Sequence, residues 1–154
     1  DVCKNLAGRL RPDFLARCNI DESKIRPSSN SSSNPIPTYY TQSICTGNEE
    51  DIADGRRSFP SGHASFSAAG CFFVIFVLHR FAASSLVPCG AWTSKLTRPV
   101  LQLVLAALAL GTACTRVADN HHNISDIIPG ALLGIAVAFV SSHVLLSTPI
   151  ARAT

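Results

Sequence analysis

Three long apolar runs, separated by polar segments, set the pattern of this chain. Residues 64–86, 99–114 and 127–146 carry almost no charge, whereas residues 1–63 contain no long apolar period. A helix needs roughly 20 apolar residues to cross the hydrocarbon core of a bilayer. The pattern therefore predicts an all-α membrane protein with about three spanning helices in these runs, the second extendable at its start through residues 95–98.

The order of the runs predicts which segments share a side of the membrane. With three crossings, residues 1–60 and 115–126 lie on one side, and the connector at 87–98 lies on the other. Positive-charge counting favours a cytosolic connector, although Arg56 and Arg57 near the opposite end of the first helix oppose that orientation. We expect residues 1–60 and 115–126 on the luminal or extracellular side.

Composition supports a membrane protein and argues against other classes. Charged residues make up 15% of the 154 residues and mean hydropathy is +0.25, whereas soluble domains average roughly 25% charged. The net charge of +3 is small and dispersed, without the basic stripe that a nucleic-acid partner would need. The chain has no methionine and begins at Asp1, so we expect N-terminal helices of the same protein to be missing.

The polar segment between the second and third runs holds groups suited to catalysis. His122 and Asp126 are four residues apart, so on a helix they would share one face. An aspartate there could accept the Nδ1 proton of the histidine and leave Nε2 free to attack. Arg116 adds a planar cationic fork that suits phosphate or carboxylate. A hydrated loop between helices is the alternative explanation.

Two further clusters are expected on the same side of the membrane. Lys4 and Arg11 frame a Lys-x6-Arg-Pro pattern, and Pro60-Ser61-Gly62-His63 precedes the first spanning run. Backbone N–H groups of Ser61 or Gly62 at a helix N-terminus would favour an anion. The alternatives are basic residues that merely flank a membrane helix, and an ordinary helix cap followed by a chance histidine.

The remaining sequence features leave their alternatives open. The six cysteines do not form a metal-binding pattern. Cys18 and Cys45 flank the Ser- and Asn-rich segment 27–37, and they could form a disulfide in an oxidising compartment. That segment carries a glycosylation sequon at Asn30, usable only on the luminal or extracellular side. Gly130 and Gly134 have the spacing that allows close helix packing; simple tolerance of glycine in lipid is the alternative explanation.

Taken in order, the motifs resemble those of the type 2 phosphatidic acid phosphatase (PAP2) family, also called lipid phosphate phosphatases. They are Lys4-x6-Arg11-Pro12, Pro60-Ser61-Gly62-His63 and Arg116-x5-His122-x3-Asp126. The resemblance implies a helical bundle of the PAP2 and vanadium haloperoxidase type, with residues 1–154 as an N-terminally truncated catalytic domain. The strings at 8–14 and 58–63 look most like the eukaryotic, fungal branch acting on phosphatidate and diacylglycerol pyrophosphate.

The resemblance also implies a role for each motif residue. His122 would be the nucleophile, Asp126 would orient its ring, and His63 would protonate the leaving alkoxide and later activate water. The phosphoryl oxygens would be bound by Lys4, Arg11, Arg116, Ser61 and the Gly62 N–H. The expected substrate is a lipid phosphate, without metal or cofactor. Thr115 stands where the family usually has serine, and it keeps the hydroxyl.

Other functions share parts of this pattern. Related motifs occur in soluble bacterial acid phosphatases, glucose-6-phosphatase and polyprenyl pyrophosphate phosphatases, so a non-lipid or polyprenyl substrate is an alternative. A non-catalytic lipid-binding relative should have lost one of the residues His63, His122, Lys4 and Arg116, and all four are present. A transporter fragment would place charges at mid-helix depth, whereas here they lie at the ends of the runs.

Overall fold

The computed structural model describes residues 2–21, 23, 44–83 and 96–147. Within them the chain forms six helices: α1 (Val2–Ala7), α2 (Phe14–Cys18), α3 (Glu49–Gly55), α4 (Gly62–Ala83), α5 (Thr97–Ala118) and α6 (Ile124–Ser147). An isolated antiparallel bridge pairs Ile20 with Cys45, and these described ranges contain no longer strand. The all-α prediction is confirmed.

Three of these helices are long and apolar enough to cross a membrane, as predicted. The spanning parts are Gly62–Arg80, Thr97–Ala118 and Ile124–Leu145. Each begins or ends closer to the polar segments than the apolar runs indicated: α4 starts at Gly62 and α5 continues through Arg116. The helix dipole stabilises a cation in the last turn of α5 and the Asp126 carboxylate in the first turn of α6. This explains why α5 and α6 extend into the polar segment between them. Residues 84–86 of the first predicted helix lie outside the described ranges.

The turn between α5 and α6 fixes where the second and third helices meet. Asn120 adopts a positive φ of 56°, and the N–H groups of His121 and His122 both donate to the Arg116 carbonyl at 3.1 Å. At the start of α6 the Asp126 carboxylate accepts the N–H of Asn123 at 3.0 Å, a half capping box. The turn therefore leaves His122 two residues before α6.

Helices α4 and α6 pack closely through glycine. A Cβ on Gly130 would lie 2.5 Å from the Ser61 carbonyl oxygen, and one on Gly134 would overlap the Ser65 carbonyl oxygen. Both contacts are with backbone, so neither could yield by a side-chain rotation. The structure thus favours close helix packing over simple tolerance of glycine at these positions. Ser61 consequently lies beside α6, where its N–H donates to the Asp126 carbonyl at 3.0 Å.

The N-terminal segment is fastened over this end of the bundle. The Arg11 N–H donates to the Gly55 carbonyl at 2.8 Å, and the Ser58 N–H donates to the Arg9 carbonyl at 3.0 Å. A disulfide joins Cys18 to Cys45, which answers the question that the sequence left open. These links hold the first motif against the segment that leads into α4.

Candidate active site

Buried polar side chains gather where α4 and α6 begin. Ser58, Ser61 and Asp126 are each 0% exposed, and His122 is 3% exposed. The apolar cluster beside them is small, formed by Ala64, Ala113 and Ile127 with Val117 packed against it. Burying a polar group is costly unless it finds a hydrogen-bonding partner, so the contacts of these four residues define the site.

The two residues predicted to pair directly are instead joined through a third. Ser58 Oγ lies 2.6 Å from Asp126 Oδ2 and 3.3 Å from His122 Nδ1. Within the part of the chain that the structure describes, no hydrogen bond or ion pair joins His122 directly to Asp126. The expectation of a shared helical face fails because the turn after α5 keeps His122 outside α6.

Asp126 has further partners around its carboxylate. Oδ2 also faces the Asn123 amide Nδ2 at 3.4 Å, while Arg9 Nη1 lies 2.7 Å from Oδ1. That contact is ionic rather than a directed hydrogen bond, because Oδ1 has no aligned donor. Arg9 Nη2 donates to Ser125 Oγ at 2.7 Å, which holds the guanidinium over the start of α6.

The surroundings of His122 favour its neutral form. Burial is the largest cause lowering its pKa below the usual 6.5, and the positive charges of Arg11 and Lys4 act in the same direction. A hydrogen bond with the Ser58 backbone and the charge of Asp126 oppose this, but the net direction is downward. A neutral imidazole keeps a lone pair on one ring nitrogen and can act as a nucleophile.

Several predicted anion-binding groups lie around His122. Arg11 is held by Asp54, with Nη2 2.9 Å from Oδ1, and the charges of Arg11 and Lys4 both act on His122. A Cβ on Gly62 would lie 3.5 Å from Lys4 Nζ, so this ammonium lies beside the N-terminus of α4. The Gly62 N–H has no hydrogen-bond partner among the described residues and remains available to an anion.

Three other predicted residues have different surroundings. Arg116 Nη2 donates to Asp119 Oδ2 at 3.0 Å, and its charge is not among those that shift the pKa of His122. His63 is exposed on the first turn of α4 and has no side-chain partner in the described ranges. Ser61 caps α4, since its Oγ accepts the Ala64 N–H at 3.4 Å. Its hydroxyl hydrogen remains available to donate.

The two adjacent histidines are clearly separated by their contacts. His121 lies outside the buried cluster, with Nδ1 3.3 Å from Arg17 Nη2 and 3.6 Å from Asp13 Oδ2. Arg17 also reaches Asp54 at 3.2 Å, so His121 belongs to the ion-pair network behind Arg11. Only His122 of the pair reaches the buried Ser58.

Three residues of the site had no assigned role in the sequence analysis: Arg9, Asp54 and Ser58. Arg9 and Ser58 lie within the strings at 8–14 and 58–63, but no spacing rule distinguishes them from their neighbours. Asp54 follows a run of acidic residues in α3, where an exposed carboxylate is unremarkable. Their roles depend on contacts between distant parts of the chain, which a spacing pattern does not encode.

Two cavities adjoin the site. One of about 570 Å³ is lined by His122, Asn123, Ile124 and Ile128, among others. The second, of about 310 Å³, lies between α4, α5 and α6 and is almost wholly apolar, lined chiefly by alanine, leucine and isoleucine. Ile128 lines both, so the cavity at His122 adjoins the apolar cavity among the spanning helices. Among the described residues, no group of three or more His, Cys, Asp or Glu side chains is placed to hold a metal ion.

Comparison with known proteins agrees with this architecture. Residues 1–148 match the model of the PAP2 superfamily, and the chain belongs to that superfamily. It is 39% identical over 140 residues to phospholipid phosphatase 1 of Rattus norvegicus, covering 91% of this chain and 44% of the relative. It is also 39% identical over 140 residues to phospholipid phosphatase 2 of Homo sapiens, covering 90% of this chain and 43% of the relative. The chain thus spans less than half the length of these relatives, and no solved structure matches it.

Proposed function

We propose that the protein is an integral membrane phosphatase that hydrolyses phosphatidate or a related lipid phosphate through a phosphohistidine intermediate. The observation that carries the proposal is the buried His122, whose pKa is lowered by burial and by the nearby charges of Arg11 and Lys4. A neutral imidazole among cations suits attack on an anionic phosphoryl group. Relatives named phospholipid phosphatases support a phospholipid substrate.

In the proposed first step, His122 Nε2 attacks phosphorus. The N–P bond forms while the ester P–O bond breaks, and His63 gives its proton to the leaving alkoxide. In the second step His63 takes a proton from water, the resulting hydroxide attacks phosphorus, and the N–P bond breaks to release phosphate. His122 returns to its neutral form, so each group ends where it began.

Charge stabilisation is assigned to the surrounding donors. Lys4 and Arg11 would bind the phosphoryl oxygens, with the Gly62 N–H and the Ser61 hydroxyl completing the cradle. Arg116 would contribute through the guanidinium nitrogens that Asp119 leaves free. Preorganised donors of this kind commonly provide the largest part of a rate enhancement. Because cations fill this role and magnesium prefers clustered carboxylates, we propose turnover without a metal.

The lipid itself is proposed on the position of the cavities. A phosphate at His122 would leave the rest of the substrate next to Ile128 and the apolar cavity between the helices. The finer assignment, to the fungal branch that acts on diacylglycerol pyrophosphate, rests on the strings at 8–14 and 58–63. Measuring kcat/KM for phosphatidate and for diacylglycerol pyrophosphate tests it: a clear preference for the diphosphate supports that branch, and a preference for phosphatidate contradicts it.

We further propose that the site faces the lumen or the extracellular side. The disulfide between Cys18 and Cys45 lies at the same end of the bundle, and such bonds persist in oxidising compartments. The sequon at Asn30 lies outside the described residues, but its use reports on the side directly. Enzymatic deglycosylation should shift the protein on a gel and should not shift an Asn30→Gln variant; a cytosolic site would give no shift in either.

The activity is tested by phosphate release from short-chain phosphatidate in detergent with excess EDTA. The purified protein should release phosphate, and His122→Ala should abolish release. His121→Ala is the matched control, since the adjacent histidine contacts Arg17 and Asp13 instead, and it should keep most of the activity. A folded protein that releases phosphate only from glucose 6-phosphate, or from no substrate, would overturn the lipid assignment.

A further inference from the structure

Ser58 occupies a position that the proposed mechanism leaves unused. It is fully buried and lies 64 residues from His122 and 68 from Asp126 along the chain, yet its single hydroxyl contacts both side chains. Its backbone N–H is fixed by the Arg9 carbonyl at 3.0 Å. The same Arg9 places its guanidinium 2.7 Å from Asp126 Oδ1, so the segments around Arg9 and Ser58 approach this carboxylate together.

The geometry determines the direction of the hydrogen bonds. A serine hydroxyl has one hydrogen to donate and can accept others. The 2.6 Å contact to Asp126 Oδ2 has the short length expected of a hydroxyl donating to a carboxylate. If that hydrogen pointed to His122 instead, two oxygen atoms with lone pairs would face each other at this distance. Ser58 Oγ is then left to accept from His122 Nδ1 at 3.3 Å, beside the hydrogen bond that the Ser58 backbone makes with the same side chain. In this arrangement Nδ1 carries the ring proton.

We propose that Ser58 is a positioning residue that links Asp126 to His122, fixing the tautomer in which Nε2 has the free lone pair. The link runs from His122 Nδ1–H to Ser58 Oγ and from the Ser58 hydroxyl to Asp126 Oδ2. Arg9 lies 2.7 Å from the other carboxylate oxygen, Oδ1, and holds the carboxylate in place. Asp126 thus acts on the nucleophile through a hydroxyl, and not by direct contact. The proposal rests on the proposed phosphohistidine function for its kinetic consequence, but the tautomer can be observed without turnover.

The first measurement is the nitrogen-15 spectrum of histidine-labelled protein in detergent, at a pH where imidazole is neutral. His122 is identified as the signal lost in a His122→Asn variant. The expected result is a protonated Nδ1 and an unprotonated Nε2 for His122. A protonated Nε2 in the unmodified protein would overturn the proposal. Because this measurement needs no substrate, it separates failure of the link from failure of the phosphatase assignment.

The second measurement is kinetic and uses a double-mutant cycle of Ser58→Ala and Asp126→Asn. Hydrogen bonds to charged groups are strong enough that losing one should reduce kcat about 10- to 100-fold, with KM little changed. If Asp126 acts through Ser58, the double variant should be nearly as active as Asp126→Asn alone, because the two residues form one unit. Fully additive losses would show independent roles and contradict the link.

A control and a second variant make the kinetic result decisive. Ser142→Ala removes another buried serine hydroxyl, 4% exposed and bonded within α6 to the Phe139 carbonyl at 2.9 Å, and it should leave kcat unchanged. Should Ser58→Ala fail to fold, Ser58→Cys keeps the size but bonds weakly, and it should show the same selective loss of kcat. Full activity in a folded Ser58→Ala or Ser58→Cys variant would overturn the proposal.

Discussion

At the scale of single residues, the site depends on how charges are distributed around one buried ring. Arg11 and Lys4 lower the pKa of His122, whereas Asp126 and the Ser58 backbone raise it. Asp126 is balanced in turn by Arg9. Arg11 is paired with Asp54, and Asp126 with Arg9, so removing one member of a pair should change the stability of the other in a known direction.

The first prediction concerns the titration of His122. Its pKa in the folded protein should lie below 6.5, mainly because of burial and secondly because of Arg11. Between the folded value and 6.5 the unfolded chain binds a proton that the folded chain does not, so stability should fall as pH drops through that window. An NMR titration of histidine-labelled protein checks this, with the His122 signal identified by its loss in a His122→Asn variant. A midpoint above 6.5 would contradict it.

A second residue-scale prediction is that Arg9→Gln destabilises the protein. Asp126 is fully buried and would lose its ionic partner, which is costly, although the 41% exposure of the Arg9 side chain reduces the effect. We expect a loss of about 1–2 kcal/mol in unfolding free energy, measured by denaturation in detergent. Arg57→Gln is the control, since the exposed Arg57 side chain has no partner in the described ranges. Equal losses in both variants would refute a specific role for Arg9.

At the scale of elements, two structural features bring the motifs together: the packing of α4 against α6, and a disulfide. Close packing of α4 against α6 sets Ser61 beside Asp126. The disulfide between Cys18 and Cys45 fastens α2 next to α3, where Arg17 and Arg11 share the carboxylate of Asp54. The helix packing positions the buried Asp126, and the disulfide helps to position Arg11, whose charge acts on His122.

Close helix packing leads to a prediction for Gly130. In Gly130→Ala the added Cβ would lie 2.5 Å from the Ser61 carbonyl oxygen, and the helices would have to separate. Overpacking of this kind costs about 1–3 kcal/mol, and activity should fall because Ser61 and Asp126 move apart. Gly111→Ala is the control, with open space around the added methyl. Thermal unfolding in detergent measures both variants; a Gly130→Ala variant as stable as the control would count against the packing account.

The disulfide gives a second prediction at this scale. Cys45→Ser should lower the unfolding free energy by about 2–4 kcal/mol, because it releases a cross-link between residues 27 apart. Activity should also fall, since the hold of Arg17 and Asp54 on Arg11 is weakened. Cys114→Ser removes a free thiol and serves as control. Denaturation with and without reductant is the measurement. Reductant should destabilise the unmodified protein and Cys114→Ser, which keep both Cys18 and Cys45, and should not change Cys45→Ser.

At the scale of the whole molecule, large apolar side chains cover the outside of the three spanning helices. Leu103 on α5 is 72% exposed and Leu132 on α6 is 61% exposed. In water such a surface would be unfavourable, whereas in a bilayer it faces hydrocarbon or further helices. The polar residues of the site lie at one end of this apolar body.

Membrane insertion provides the prediction at this scale. Leu108, 58% exposed, lies near the middle of the span Thr97–Ala118, so Leu108→Arg should cost about 3 kcal/mol of insertion free energy. Leu96→Arg places the same charge just before the span, where the side chain can extend to the interface, and should be tolerated. The carbonate-resistant membrane fraction of each variant is the readout. Equal insertion would mean that α5 does not cross the bilayer.

The sequence by itself determined the three spanning helices and the family of this protein, whereas the short helices α1, α2 and α3 were not predicted from it. Long apolar runs specify spanning helices because unpaired backbone groups are too costly in hydrocarbon, and the spacing of Lys4, Arg11, His63, Arg116 and His122 carries the resemblance to the PAP2 family. The predicted helix ends were less accurate, because a polar residue such as Arg116 can continue a helix when the helix dipole stabilises its charge. Hydrophobicity alone does not register that effect.

Only the tertiary structure decided how the chemical groups are connected. The turn at Asn120 keeps His122 off α6, so Asp126 contacts it through Ser58. The close packing at Gly130 sets the Ser61 N–H against the backbone carbonyl of Asp126. The pairing of Arg9 with Asp126 spans 117 positions of the chain. Such contacts arise from the relative placement of whole segments, which depends on packing throughout the bundle and not on any local pattern of residues.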